Sequence, residues 1–165
     1  MIVARALAFV TIAHRDQVRK YTGEPYAQHP IRVAGMIRDA GFDERAQVVA
    51  LLHDVLEDCD VSPQTIAINF GADVLRQVQM LTDVDRSRGN RATRKKIDAD
   101  RLAAGDGVVH SIKCADTIDN APSIVEHDPS FAPLFLAEKR ALVPRLVLAH
   151  PDLLSRALAL IGAKP

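Results

Sequence analysis

Apolar side chains recur at helical spacing along almost the whole chain, and no stretch alternates apolar and polar residues long enough for a strand. The first run, residues 2 to about 19, places Leu7, Val10 and Ala13 on one face. A polar turn follows, Lys20-Tyr21-Thr22-Gly23-Glu24-Pro25. Pro30 suits the first turn of a second helix, which carries Ile31, Ala34 and Ile37 and runs to Gly41. Asp43 predicts an N-cap for a third helix over 44–58, with Ala46, Val49, Ala50 and Leu52 toward the core. Ser62-Pro63 reads as a cap followed by a first-turn proline, and Gly71 as a stop.

The second half continues in the same pattern. A helix over 72–82 carries Val74, Leu75, Val78 and Leu81, and 83–90 is a polar loop. Residues 91–104 are helical, and Gly105 to Gly107 break the run. A helix over 108–126 offers Ile112, Ala115, Ile118 and Ile124 to a core. Asp128-Pro129 opens a segment whose helix, 134–149, kinks at Pro144, and 151–161 closes the chain. No linker or repeat divides the sequence, so the expectation is an all-α single domain over 1–165.

Composition narrows the function. The 165 residues are enough for one domain with its own core. Lys plus Arg number 21 and Asp plus Glu 21, so the chain lacks the basic excess of a general nucleic-acid or membrane binder. A polyanion must therefore be met by a local basic patch. With no Trp, 2 Tyr and 5 Phe, a base-stacking platform is not expected. The apolar N-terminal run is interrupted by Arg5 and lacks a cleavage site, and no run is long enough to span a bilayer. Cys59 and Cys114 fit no zinc or redox spacing and read as reduced thiols of a cytoplasmic protein.

The strongest chemical signal is Leu51-Leu52-His53-Asp54-Val55-Leu56-Glu57-Asp58. On a continuous helix, His53 and Glu57 lie four apart, as do Asp54 and Asp58. One face would then hold an imidazole and three carboxylates, which repel one another unless a cation or a solvated cleft tolerates them. A chance pair on a solvated face is the bland alternative, and the adjoining leucines weaken it. His29 alone reads as a loop or capping histidine, and Asp116 alone as a buried, hydrogen-bonded acid.

Taken together, these segments resemble a known family. Arg19-Lys20, Gly23-Glu24-Pro25-Tyr26 with His29-Pro30, His53-Asp54 with Glu57-Asp58, and Phe70-Gly71 come first. Leu81-Thr82-Asp83, Arg91 with Arg94-Lys95, and Lys113 with Ala115-Asp116 and Asn120 follow. Their order and spacing are similar to the hydrolase domain of RelA/SpoT enzymes and their small stand-alone alarmone (ppGpp) hydrolase homologues, over about 6–120. The resemblance implies an HD-type helical domain that uses a divalent metal to hydrolyse a nucleotide phosphate ester. It implies His29, His53, Asp54 and Asp116 as metal ligands, a set suited to Mn²⁺ or Fe²⁺ that also admits Zn²⁺. Glu57 and Asp58 would orient and deprotonate the attacking water. Arg19 would lie over the base, with Lys20 beside it. Arg91, Arg94 and Lys95 would contact phosphate, and Asn120 would hydrogen-bond the sugar. Arg86, Arg88 and Lys96 read as solvated.

Two departures from the long enzymes bear on the substrate. Thr117 stands where those enzymes carry Arg after the metal-binding Asp, and Pro122-Ser123 stands in place of Arg-Thr. One extra residue also separates Lys20 from Gly23. The leading expectation is a guanosine 3′,5′-bis(diphosphate) 3′-pyrophosphohydrolase. The alternatives are a nucleotide or NADPH phosphatase with the same metal chemistry, and a non-catalytic nucleotide-binding module. The Glu57-Asp58 pair argues against the last.

Overall fold

The computed structural model describes residues 1–162, and its regular elements are all helical, as the apolar periodicity predicts. Internal packing separates it into two compact units, Met1–Thr82 and the chain from Asp83 onward.

The first unit begins with α1 (Ile2–Ala13), α2 (Gln28–Asp39) and α3 (Glu44–Leu52). It continues with the short α4 (Val55–Asp58), then α5 (Pro63–Phe70) and α6 (Ala72–Leu81). Helix α3 is its centre, packed against α1, α2 and α6. Val48, Val49 and Leu52 of α3 are fully buried, as are Val10, Val33, Ile37 and Val78 on neighbouring helices. Burying each such side chain contributes about 1.5–3 kcal/mol. The caps fall where the sequence puts them: Asp43 accepts from the Ala46 N–H at 2.8 Å, and Ser62 from the Thr65 N–H at 3.2 Å. Gly71 ends α5 at φ 98°, a backbone conformation that side-chain-bearing residues rarely adopt.

Two expectations are corrected here. Helix α1 stops at Ala13 instead of about 19, and its buried face carries Ala6 and Val10, with Leu7 exposed. The helix expected over 44–58 is interrupted at His53-Asp54. There the His53 ring Nδ1 lies 2.7 Å from the Ala50 carbonyl. A ring N–H bonded to that oxygen competes for an acceptor of the helical ladder. Asp54 then restarts the chain, its carbonyl accepting from the N–H groups of Glu57 and Asp58 at 3.1 and 2.9 Å.

The second unit holds α7 (Arg91–Ala103), α8 (Gly107–His127), α9 (Ala132–Leu142) and α10 (Pro151–Leu160). Asn90 caps α7 through the Thr93 N–H, and Asp106 caps α8 through the Val109 N–H, both at 3.0 Å. Helix α8 packs on α10, and α9 contacts α7 and α8. The helix expected over 134–149 ends at Leu142 and gives way to a single tight turn, Val143–Arg145. Pro144 has no N–H to continue the ladder, so it ends the helix instead of kinking it.

Candidate functional site

In the first unit the loop between α1 and α2 is tied into a small hairpin. The Arg19 N–H donates to the Glu24 carbonyl at 2.8 Å, and the Tyr26 N–H to the Gln17 carbonyl at 2.9 Å. Gly23 turns the loop at φ 72°. Arg32 of α2 grips the Glu24 carboxylate with two hydrogen bonds, 3.0 and 2.7 Å. This anchoring fixes Tyr26 and delivers His29 into the first turn of α2. The break after α3 delivers His53 and Asp54.

His29, His53 and Asp54 come together. Each offers one donor atom, and the three atoms lie within 4.8 Å of one another. His29 Nε2 is 3.4 Å from Asp54 Oδ2, and His53 Nε2 is 3.2 Å from Asp54 Oδ1. Both histidines are buried, and the two rings meet edge to face at 5.1 Å. With Nδ1–H donated to the Ala50 carbonyl, His53 holds its Nε2 lone pair toward the carboxylate. A backbone acceptor fixing the tautomer in this way is the usual support for a metal-binding imidazole. Two imidazole nitrogens and a carboxylate are donors of the right type for a divalent transition metal. These residues therefore fit such an ion.

Tyr26 is the main residue that the motif reading named without giving it a role. Its hydroxyl reaches Asp54 Oδ2 at 2.8 Å and Asp58 Oδ2 at 3.1 Å, bridging the two carboxylates. Burial, with Asp54 and Asp58 beside it, pushes the phenol well above its ordinary range, so it stays a donor. Burial and the neighbouring Asp54 charge also raise the Asp58 carboxyl. Tyr26 stacks on the buried His14 at 4.7 Å, and His14 in turn contacts Gln17 and Cys59. The only sequence signal for Tyr26 is its place three residues before His29. Burial pushes the Cys59 thiol up to about 11, which keeps it protonated. Glu57 is exposed, Arg19 is half-buried in the hairpin, and the exposed Lys20 hydrogen-bonds the Tyr21 hydroxyl at 3.1 Å.

In the second unit a cavity of about 290 Å³ is lined by Arg91, Lys95, Lys113, Asn120, Phe135 and Lys139, among others. Three of the expected substrate contacts, Arg91, Lys95 and Asn120, thus share one cavity, and Arg94 is not among its lining residues. Arg91 pairs with Glu138 through two bonds, 2.6 and 2.9 Å, and Lys95 pairs with Asp83. Burial alone would raise the Asp83 carboxyl, but Lys113, Lys95 and Lys139 hold it below the ordinary range. Asp116 is buried. Its Oδ2 is 2.9 Å from Lys113 Nζ and 3.7 Å from Lys139 Nζ, and its Oδ1 accepts from Asn120 at 2.5 Å. Thr117 is fully buried and donates to the Lys113 carbonyl at 2.9 Å. Its hydroxyl is therefore engaged by its own helix.

Residues 6–133 match the model of the HD domain family, and the chain belongs to that family. A probable guanosine-3′,5′-bis(diphosphate) 3′-pyrophosphohydrolase of Synechocystis is 35% identical over 123 residues, 72% of this chain and 16% of that protein. A guanosine-3′,5′-bis(diphosphate) 3′-pyrophosphohydrolase of Aquifex aeolicus is 34% identical over 123 residues, 74% of this chain and 18% of that one. The chain thus spans less than a fifth of these relatives. A solved structure of a metazoan SpoT ortholog that hydrolyses ppGpp is 27% identical and superposes with a TM-score of 0.87. That match covers 98% of this chain and 94% of the other. No helix among the described residues is long and apolar enough to cross a membrane.

Proposed function

We propose that the chain, acting as one HD domain over 1–165, is a cytoplasmic Mn²⁺-dependent hydrolase of guanosine 3′,5′-bis(diphosphate). The observation that carries this reading is the His29, His53 and Asp54 cluster in a chain of the HD family. Asp116, from the second unit, is the proposed fourth ligand, and its assignment rests on the family resemblance. Fe²⁺ and Zn²⁺ suit the same donors. A divalent ion held there supplies Lewis acidity, lowering the pKa of a water and offsetting charge on the phosphoryl oxygens.

The chain's own residues divide the remaining work. Glu57, exposed and four residues beyond His53, accepts a proton from the attacking water. Asp58 receives the Tyr26 hydroxyl and helps to orient that water. Arg19 covers the base, with Lys20 beside it. Arg91, Arg94 and Lys95 engage phosphate, and Asn120 engages the sugar. Water adds to the phosphorus attached to the ribose 3′ oxygen, the P–O bond breaks, and that oxygen takes up a proton. The products are guanosine 5′-diphosphate and pyrophosphate.

The test is hydrolysis by the purified protein across a nucleotide panel with Mn²⁺, Mg²⁺ and Zn²⁺. The reading expects pyrophosphate from guanosine 3′,5′-bis(diphosphate), with Mn²⁺ most effective. Release of orthophosphate from NADPH or a nucleoside 2′- or 3′-monophosphate, with no pyrophosphate release, would move the assignment to the phosphatase alternative. No turnover with any metal would leave a binding module.

A further inference from the structure

The second unit's cavity carries one cation more than its acids account for. Glu138 is held by Arg91, Asp83 by Lys95, and Asp98 by Arg101 at 2.8 Å and the Val84 N–H at 2.9 Å. Asp116 faces two ammonium groups, both directed at the same oxygen. Lys113 takes that oxygen at 2.9 Å, and Lys139 is left at 3.7 Å, outside hydrogen-bond distance. The Lys139 side chain is only 13% exposed. The Phe135 ring lies beside it, its centroid 5.2 Å from Nζ.

A buried ammonium has three donors to satisfy, and a cation held this way costs free energy unless something negative meets it. Lys113, on the same carboxylate oxygen, adds a like charge beside it. An anion with several acceptor oxygens, entering a cavity of about 290 Å³, would relieve both the desolvation and the repulsion. Lys139 lies on α9, outside every motif that the sequence singles out.

We propose that Lys139, beside Lys113, binds a phosphate or pyrophosphate group in this cavity, and that it is a substrate-binding residue of the enzyme. The identity of the full ligand as a nucleotide rests on the hydrolase reading, but the anion site itself does not. It can therefore be tested with inorganic pyrophosphate on the metal-free protein in EDTA.

Calorimetric titration should show saturable pyrophosphate binding to the parent. Lys139→Met keeps the apolar stem against Phe135 and removes the charge, and it should weaken binding by roughly tenfold or more, the scale of one charge-assisted contact. Lys139→Gln serves the same purpose if the Met variant does not fold. Lys96→Met, which removes an exposed lysine paired with Asp100, makes the same change in net charge and should bind like the parent. Absence of binding to the parent, equal affinity in the Lys139 variants, or an equal loss in Lys96→Met would each overturn the proposal. Lys139-dependent pyrophosphate binding in a protein that hydrolyses no nucleotide would sink the hydrolase reading and leave this site standing.

Discussion

His53 in the first unit and His110 in the second are both buried, and each hydrogen-bonds a backbone carbonyl. They differ at the second ring nitrogen. His110 Nε2 meets the Leu102 carbonyl at 2.9 Å, and its Nδ1 accepts the Leu148 N–H at 3.1 Å, so both nitrogens join pieces of backbone. His53 bonds backbone through Nδ1, and its Nε2 faces a carboxylate and a second imidazole. Burial therefore does not distinguish the two histidines. The partner of the second nitrogen does.

Exchanging the two histidines for alanine should separate the roles most sharply. His53→Ala should lower kcat/KM by more than the roughly 10²-fold that losing an outer partner of a metal ligand costs. Its thermal midpoint, measured without metal, should stay closer to the parent's than that of His110→Ala. His110→Ala should lose about 2–4 kcal/mol of stability, read from denaturant unfolding, because it opens a cavity and leaves two backbone groups without partners. The folded His110→Ala protein should keep its turnover at low temperature. The opposite pattern would reverse the two assignments.

Glu57→Gln should come next, lowering kcat by roughly 10²-fold with metal content unchanged, the scale of a general acid–base group. Loss of metal would make Glu57 a ligand. Unchanged kcat would move the role to Asp58, which Asp58→Asn would show. Tyr26→Phe removes the hydroxyl that bridges Asp54 and Asp58, and kcat should fall about tenfold, the scale of a hydrogen bond to a charged group. An unaltered rate would leave Tyr26 a packing residue against His14. The smallest effect belongs to the second unit. A combined Arg91, Arg94 and Lys95 alanine variant should raise KM a few-fold, and the effect should shrink as salt rises. Unchanged kinetics would return the segment to a solvated face.

How far the sequence carries depends on the range of the forces involved. The caps at Asp43 and Ser62 are local, and the helix starts follow from them. The segment 53–58 is legible because its imidazole and three carboxylates interrupt an apolar run. Nothing local marks His110, since its partners at Leu102 and Leu148 lie 8 and 38 residues away in sequence. The break at His53-Asp54 was equally hidden, because a side chain competing for a ladder carbonyl leaves the apolar periodicity intact. The register of α1 departs from the apolar pattern because leucine is the more apolar residue, yet the small Ala6 is the one buried. Lys139 lies outside the motifs, and only the cavity brings it beside Lys113 and Asp116.

The central claim is that His29, His53 and Asp54 hold a divalent ion. Titration of Mn²⁺ into the metal-free parent, followed by the loss of the free-ion electron paramagnetic resonance signal, tests it directly. The account predicts one tightly bound Mn²⁺ per chain in the parent and in His110→Ala, and none in Asp54→Ala with its helical circular dichroism preserved. Full Mn²⁺ uptake by a folded Asp54→Ala protein would contradict it.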